Sequence, residues 1–320
     1  MTAMAAQGAR SESALASLLL TNRFVDAGAA PLSAGRYWAL LEAVPDPAEL
    51  LASPAAEIGR RTGLPPDDAA RIERLLATGT GLAFELERME QRGFVPLTCF
   101  DDAYPGRLRE RLGDQAPPVL TTVGNRDLLS SEGIGIVGSR GVTKEGAEVA
   151  RNVAEQAASS GLTTISGGAK GVDQESMSAA HAAQGPVVGF LADSLERRIR
   201  EPATRRAVAD GLVCLATPFK PSAGFSVAGA MARNKLVYAT ARVTLVVASD
   251  LGRGGTWEGA VEALHHGYGT VAVWRGPGGG PGNERLVALG ATPVVDVPAV
   301  FRAQAGPVTA AGSDQLRLGL

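Results

Sequence analysis

Through the first ninety residues apolar side chains return every three or four positions. Ile72, Leu75, Leu76, Leu82, Leu86 and Met89 share the spacing of one buried helix face. LASLLLTNRF, RYWALLEAV, PAELLAS and PAAEIGRRTGL repeat the pattern between Pro and Gly turns, which predicts a small helical domain over 1–92 with a packing or interaction role. Two extended runs follow, Phe94 to Cys99 and Val119 to Val123, around a turn at Asp101 to Gly106. Pro117 and Pro118 restrain the backbone ahead of the second run, so 93–132 reads as a linker packing on the next domain. From Gly133 the period changes. GIGIV, LTTIS, PVVGFL, LVCLA, VTLVVA, TVAVW and TPVVDV are continuous apolar runs, alternating with helical stretches such as KEGAEVARNVAEQAASSG and WEGAVEALHHG. Such strands are buried on both faces, and the alternation predicts an α/β domain over 133–300 with a doubly wound, mostly parallel sheet. A loose tail is expected over 301–320.

Composition narrows the classes. With 320 residues and 45% hydrophobic content, the chain has room for about two domains of roughly 100 to 200 residues each. A formal net charge of -2 leaves no bulk basic excess, so any phosphate site must be a local patch. The two cysteines, Cys99 and Cys214, lie far apart without ligand-spaced partners, which suggests neither a disulfide scaffold nor a zinc site and fits a cytoplasmic location. The apolar run from Ala14 to Leu20 is too short to span a bilayer and is flanked by Glu12 and Asn22, so no export or membrane segment is expected. Asp101 and Asp102 read as turn-capping residues before they read as a catalytic pair. His181, His265 and His266 sit in helical stretches without catalytic partners.

The candidate chemistry sits where strands enter helices, at the carboxyl edge where doubly wound sheets bind ligands. One loop is Gly138-Ser139-Arg140-Gly141 and another is Ser166-Gly167-Gly168-Ala169-Lys170-Gly171. Glycines let backbone N–H groups approach an anion at a helix N-terminus, and Arg140 and Lys170 add countercharge. Neither loop is a GxGxxG fingerprint or a Walker loop, so a dinucleotide or ATP-motor reading has little support and no cofactor is called for. Lys220 and Phe225 precede a helix containing Arg233, Asn234 and Lys235. A ring beside cations suits single-stranded nucleic acid, by stacking and by phosphate contact, although core packing of Phe225 accounts for it equally well. The basic run Arg197, Arg198, Arg200, Arg205 and Arg206 either extends such a groove or forms a solvated face with Glu196 and Glu201. The loop Gly254-Gly255-Thr256 leads to Glu258, which can receive a ribose hydroxyl, act as an acid in N-glycosidic cleavage, or favour the helix dipole.

Taken in order, Asp102-Ala103-Tyr104-Pro105, PPVL at 117–120, Gly124-Asn125, IVGSR, SGGAKGVD and ARNKLV resemble the DNA-processing protein A (DprA, or Smf) family across most of the chain. The resemblance implies a Rossmann-like domain behind a SAM- or helix-hairpin-like one. It also implies a homodimer that binds single-stranded DNA in a basic pocket and hands it to a RecA-type recombinase. Carried over residue by residue, it implies DNA contacts at Arg140, the Ser166-Gly167 turn, Lys220, Phe225, Arg233 and Lys235. The chain departs from the family pattern at Ser176-Met177 and at GGTWE. The latter, with MARNK at 231–235, is similar to the lysine decarboxylase-like (LOG) phosphoribohydrolases. That similarity implies an alternative, an enzyme or sensor of a nucleotide ligand with Glu258 as acid and Arg233 on the phosphate. The leading expectation is a non-enzymatic single-stranded DNA-binding protein of uptake, recombination or defence against foreign DNA, with no metal and no membrane contact.

Overall fold

Six apolar positions of the helical pattern, Ile72 to Met89, are all buried in the fold. The structure is a computed structural model that describes residues 10–21 and 24–303. The chain divides into two compact units, Met1–Tyr104 with Gly113–Thr121, and Pro105–Leu112 with Thr122–Leu320. The segment expected as a single linker over 93–132 therefore passes back and forth between the two units.

The first unit carries helices α1 (Glu12–Thr21), α2 (Ala34–Ala43), α3 (Ala55–Thr62), α4 (Pro66–Leu76) and α5 (Gly79–Gln91), then strand β1 (Val95–Thr98) and the start of β2 (Val119–Gly124). Leu18, Leu20, Leu50, Ile58 and Leu82 are fully buried and make its core. Removing each from water contributes on the order of 2 kcal/mol before the entropy of ordering is counted. Asp101 caps its turn, accepting from the Thr98 backbone N–H at 2.6 Å and from the Thr98 hydroxyl at 2.7 Å.

The second unit holds α6 (Gly106–Leu112), the end of β2 and seven further strands. These are β3 (Gly133–Val137), β4 (Thr163–Ser166), β5 (Val187–Phe190), β6 (Val213–Thr217), β7 (Val243–Val246), β8 (Thr270–Trp274) and β9 (Thr292–Val294). Between them run α7 (Lys144–Ser159), α8 (Val172–Ala182), α9 (Leu195–Arg198), α10 (Pro202–Ala209), α11 (Val227–Thr240), α12 (Gly255–His266), α13 (Asn283–Ala288) and α14 (Val297–Arg302). The order is β6-β5-β4-β3-β7-β8-β9, with every neighbouring pair parallel. Every residue of β3 to β7 is buried, which is why these strands read as unbroken apolar runs rather than alternating ones. Helix α7 turns Ala147, Ala150, Val153, Ala154 and Ala157 inward, small residues that let it lie close against α8. The expected tail begins at Phe301 and Arg302, which close α14, and the rest of it from 304 lies outside the described residues.

The topology places the site. The chain winds from β3 outward through β4 and β5 to β6, then returns to lay β7 on the other side of β3. Loops leaving β3 and β7 diverge to opposite sides of the sheet and open a crevice at their carboxyl ends.

Candidate functional site

That crevice is a cavity of about 770 Å³. Its walls come from the β3–α7 loop (Gly138 to Gly141), the start of α11 (Val227 to Asn234) and the β7–α12 loop (Asp250 to Thr256). Ala169 enters from the β4–α8 loop and Asp173 from the first turn of α8, and Tyr238 and Glu258 complete the lining.

Helix α11 forms one wall and its ends are held. Ser226 caps its start by accepting from the Gly229 N–H. At its far end Arg111, on α6, donates to the carbonyls of Tyr238, Ala239 and Ala241 at 3.3, 3.2 and 2.5 Å. Burial holds the Arg111 guanidinium below its ordinary range, and nearby Arg107 adds to this. Asn234 donates to the Gly255 carbonyl at 2.9 Å, tying α11 to the first turn of α12. Asn283, buried at the start of α13, accepts from the Ser249 N–H and donates to the carbonyls of Val247 and Trp274. It fixes the strand ends from which the β7–α12 loop departs.

The floor is a buried ion pair. Arg233 Nη1 lies 3.8 Å from Asp173 Oδ2, with 7% and 6% of the two side chains exposed. Burial pushes the Asp173 carboxyl up, while Arg233 and the backbone N–H groups of Ala169, Gly167 and Gly138 pull it back down. Burial likewise lowers Arg233, against the pull of Asp173. A Cβ on Gly167 would collide with the Arg233 guanidinium, so only glycine admits Arg233 to this position. Gly171, at φ +81° between the loops, has Ser139 and Arg140 backbone where a side chain would begin. Asp173 thus gathers N–H groups from two glycine loops and makes them one rigid surface.

The mouth differs. Arg140 is exposed, and its Cζ lies 5.3 Å from the ring centroid of Phe225, itself 53% exposed. A large aromatic ring kept in solvent beneath a guanidinium is not core packing.

The structure brings together Gly138, Ser139, Arg140, Phe225, Arg233, Asn234, Gly254, Gly255, Thr256 and Glu258 around one cavity. It does not bring in the others. Ser166 is fully buried and donates to the Ile136 carbonyl at 2.6 Å. Gly167 and Gly168 form the turn behind Arg233 without lining the cavity. Lys170 and Lys220 are exposed outside it. Lys235 pairs with Glu262 at 3.1 Å. In the arginine run, Arg197, Arg198 and Arg200 pair with Asp193, Glu201 and Glu196, as a solvated face would. Arg198 also donates to the Gly168 carbonyl at 3.1 Å, bracing the second loop.

Asp173 and Tyr238 are lining residues that the sequence reading left out of the site. Asp173 had a signal, being an acid in the first turn after a glycine loop. Tyr238 had none, since an aromatic on a mostly apolar helix reads as core. Among the described residues no group of His, Cys, Asp and Glu could hold a metal ion, and no helix is long and apolar enough to cross a membrane.

Residues 96–304 match the family model described as DNA recombination-mediator protein A. The chain is similar to a putative DNA processing protein DprA of Mycobacterium tuberculosis, 29% identical over 247 residues that cover 68% of this chain and 61% of the relative. It spans less than two thirds of the length of the first curated relatives it matches. Its fold is similar to that of DNA processing protein A (DprA) from Streptococcus pneumoniae, with TM-score 0.72 at 22% identity, covering 92% of this chain and 98% of the other. A DNA processing protein A from Helicobacter pylori, described with a single-stranded DNA binding mode, gives TM-score 0.54 at 20% identity, covering 65% and 94%.

Proposed function

The chain belongs to the DNA recombination-mediator protein A family, and from that premise we propose that it binds single-stranded DNA at the mouth of the cavity and acts in DNA processing by binding rather than catalysis. The observation that carries this reading is the pair of Arg140 and Phe225. The ring offers a face on which a base stacks, and the guanidinium above it offers charge to the neighbouring phosphate. The backbone N–H groups in the first turn of α12, at the glycine-rich start of that helix, add donors for phosphate oxygens. Lys170 and Lys220, exposed beyond the cavity, extend the countercharge along a strand. Arg233 and Lys235 hold α11 in place through Asp173 and Glu262, and serve the strand by fixing that wall.

The Helicobacter pylori relative's described binding of single-stranded DNA supports the same assignment here. Family membership is the ground for the wider role in recombination or in defence against foreign DNA. It is equally the ground for hand-over of the strand to a RecA-type recombinase, for assembly of two copies, and for work in the cytoplasm.

Binding to single- and double-stranded oligonucleotides across a salt titration tests the reading. With Arg140, Lys170 and Lys220 each meeting a phosphate, log K should fall against log salt with a slope of about -2 and favour single strands. A flat slope, or equal affinity for duplex, would overturn it. Release of free base from nucleoside monophosphates would overturn the non-catalytic part.

A further inference from the structure

The glycine loops of this site already hold an anion, and it is the protein's own. Asp173 stands in the first turn of α8, and its carboxylate receives the backbone N–H groups of Gly138 on the β3–α7 loop and of Gly167 and Ala169 on the β4–α8 loop, the last at 3.3 Å. Arg233 adds its guanidinium from α11 at 3.8 Å. Loops of this kind ordinarily turn such N–H groups toward a ligand's phosphate, with a cation to match. Neighbouring donors are spent as well, since the Ser139 N–H donates to the Ala248 carbonyl at 2.9 Å and the Gly141 N–H to the Ser139 hydroxyl at 3.2 Å. With 6% of its side chain exposed, Asp173 fills the place that such a phosphate would take.

The same carboxylate reaches both halves of the mouth. Gly138 lies two residues before Arg140, and Gly171 packs so closely against the Arg140 backbone that no side chain fits between them. Arg233 lies eight residues after Phe225, on the helix that the Phe225 segment enters. Arg233 and Arg140 are near enough for their like charges to act on one another, and Asp173 offsets that repulsion.

We infer that Asp173 is the positioning residue of the strand site: its carboxylate serves the two glycine loops as a built-in anion and, through Gly138 and Arg233, sets Arg140 over Phe225. The inference rests on the proposed binding of single-stranded DNA at that pair. A strand's phosphate then stays at the mouth on Arg140, and none enters the glycine loops while Asp173 is in place.

The experiment follows a fluorescent oligothymidylate by anisotropy, across a salt titration, with the full chain and its Asp173→Asn and Asp173→Ala variants. Asp173→Asn keeps the shape of the side chain without its charge, so it carries the affinity test even where the alanine variant does not fold. It should bind about tenfold more weakly and lose about 0.7 from the salt slope, one phosphate's share, because Arg140 is no longer held in place. Charge alone predicts the opposite, since deleting a carboxylate beside the site should tighten binding and steepen the slope. Asp173→Ala leaves a hole the size of the lost carboxylate. Formate, against chloride at equal ionic strength, should raise that variant's melting temperature by about 2–4 °C and restore most of its oligomer affinity, with no effect on the unaltered chain. A folded Asp173→Asn that binds as tightly as the unaltered chain, or tighter, would overturn the positioning role and leave the strand reading intact. Weaker binding at an unchanged slope would overturn it too, because loss of folded protein lowers affinity without changing the phosphates engaged. A folded Asp173→Ala that formate stabilises no better than chloride would overturn the built-in anion. An unaltered chain without affinity for the oligomer would overturn the strand reading and the positioning role together, and the formate melt would still decide the anion.

Discussion

Gly167 lies so close to the Arg233 guanidinium that no side chain fits between them. The β4–α8 turn and helix α11 meet there, with the Asp173 carboxylate closing the contact from the first turn of α8. Gly167→Ala should force Arg233 away from Asp173 and cost about 1–3 kcal/mol, the usual range for overpacking a tight site. Asp173→Ala should cost more, about 3–5 kcal/mol, because it leaves a buried cation alone. Chemical denaturation of the two variants checks the order, and Gly167→Ala proving the milder is the outcome expected.

In the proposed mode of binding, Arg140 and Phe225 divide the work of holding the strand. Arg140→Ala should weaken all single-stranded sequences about equally and reduce the salt slope by about 0.7, one phosphate's share. Phe225→Ala should cost about 1–3 kcal/mol of binding, the range for one stacked base, and leave the salt slope unchanged. Fluorescence anisotropy at several salt concentrations separates the two effects, and a changed slope for Phe225→Ala would refute the division.

Arg111 acts at a distance from the cavity by satisfying carbonyls at the end of α11. Arg111→Met should leave those carbonyls unpaired and lower stability by about 2–4 kcal/mol, with Arg111→Lys only partly restoring it because an ammonium lacks the planar fork. Thermal melting of the pair of variants is the measurement, and full rescue by lysine would contradict this account.

Alkaline pH should weaken the fold through Cys214. This thiol is fully buried on β6, and burial above all pushes it from 9.0 up to about 12. The native state holds the proton more tightly than the unfolded chain. Its contribution is therefore complete below about pH 9 and is lost as pH rises through about 12, on the order of 1 kcal/mol per pH unit. Cys214→Ala removes this term, so its melting temperature should approach that of the unaltered protein between about pH 8 and pH 11. Parallel curves would exclude it.

Much of the fold was legible because its signals are local. The apolar runs from Gly133 onward marked strands buried on both faces, and Ile72 to Met89 marked a helix face, since the period of burial is written directly into residue spacing. The glycine loops were legible as strand-to-helix turns for the same reason. The segment 93–132 was less so, because a chain that serves two compact units in turn has no period of its own.

By itself the sequence determined the class of the fold and picked out the Gly138–Gly141 and Gly254–Thr256 loops with Arg140, Phe225, Arg233 and Glu258, which do line the cavity, alongside Lys170, Lys220 and Lys235, which do not. Only the tertiary structure decided their roles. Lys235 and Arg233 read alike on one helix, yet one meets Glu262 and the other is sealed against Asp173, because each direction around α11 faces a different neighbour. Arg140 and Phe225 are 85 positions apart and become a pair only because β7 returns beside β3 and brings α11 to the mouth of the crevice. Long-range pairing of this kind depends on which strand ends up beside which, and residue spacing along the chain does not record that.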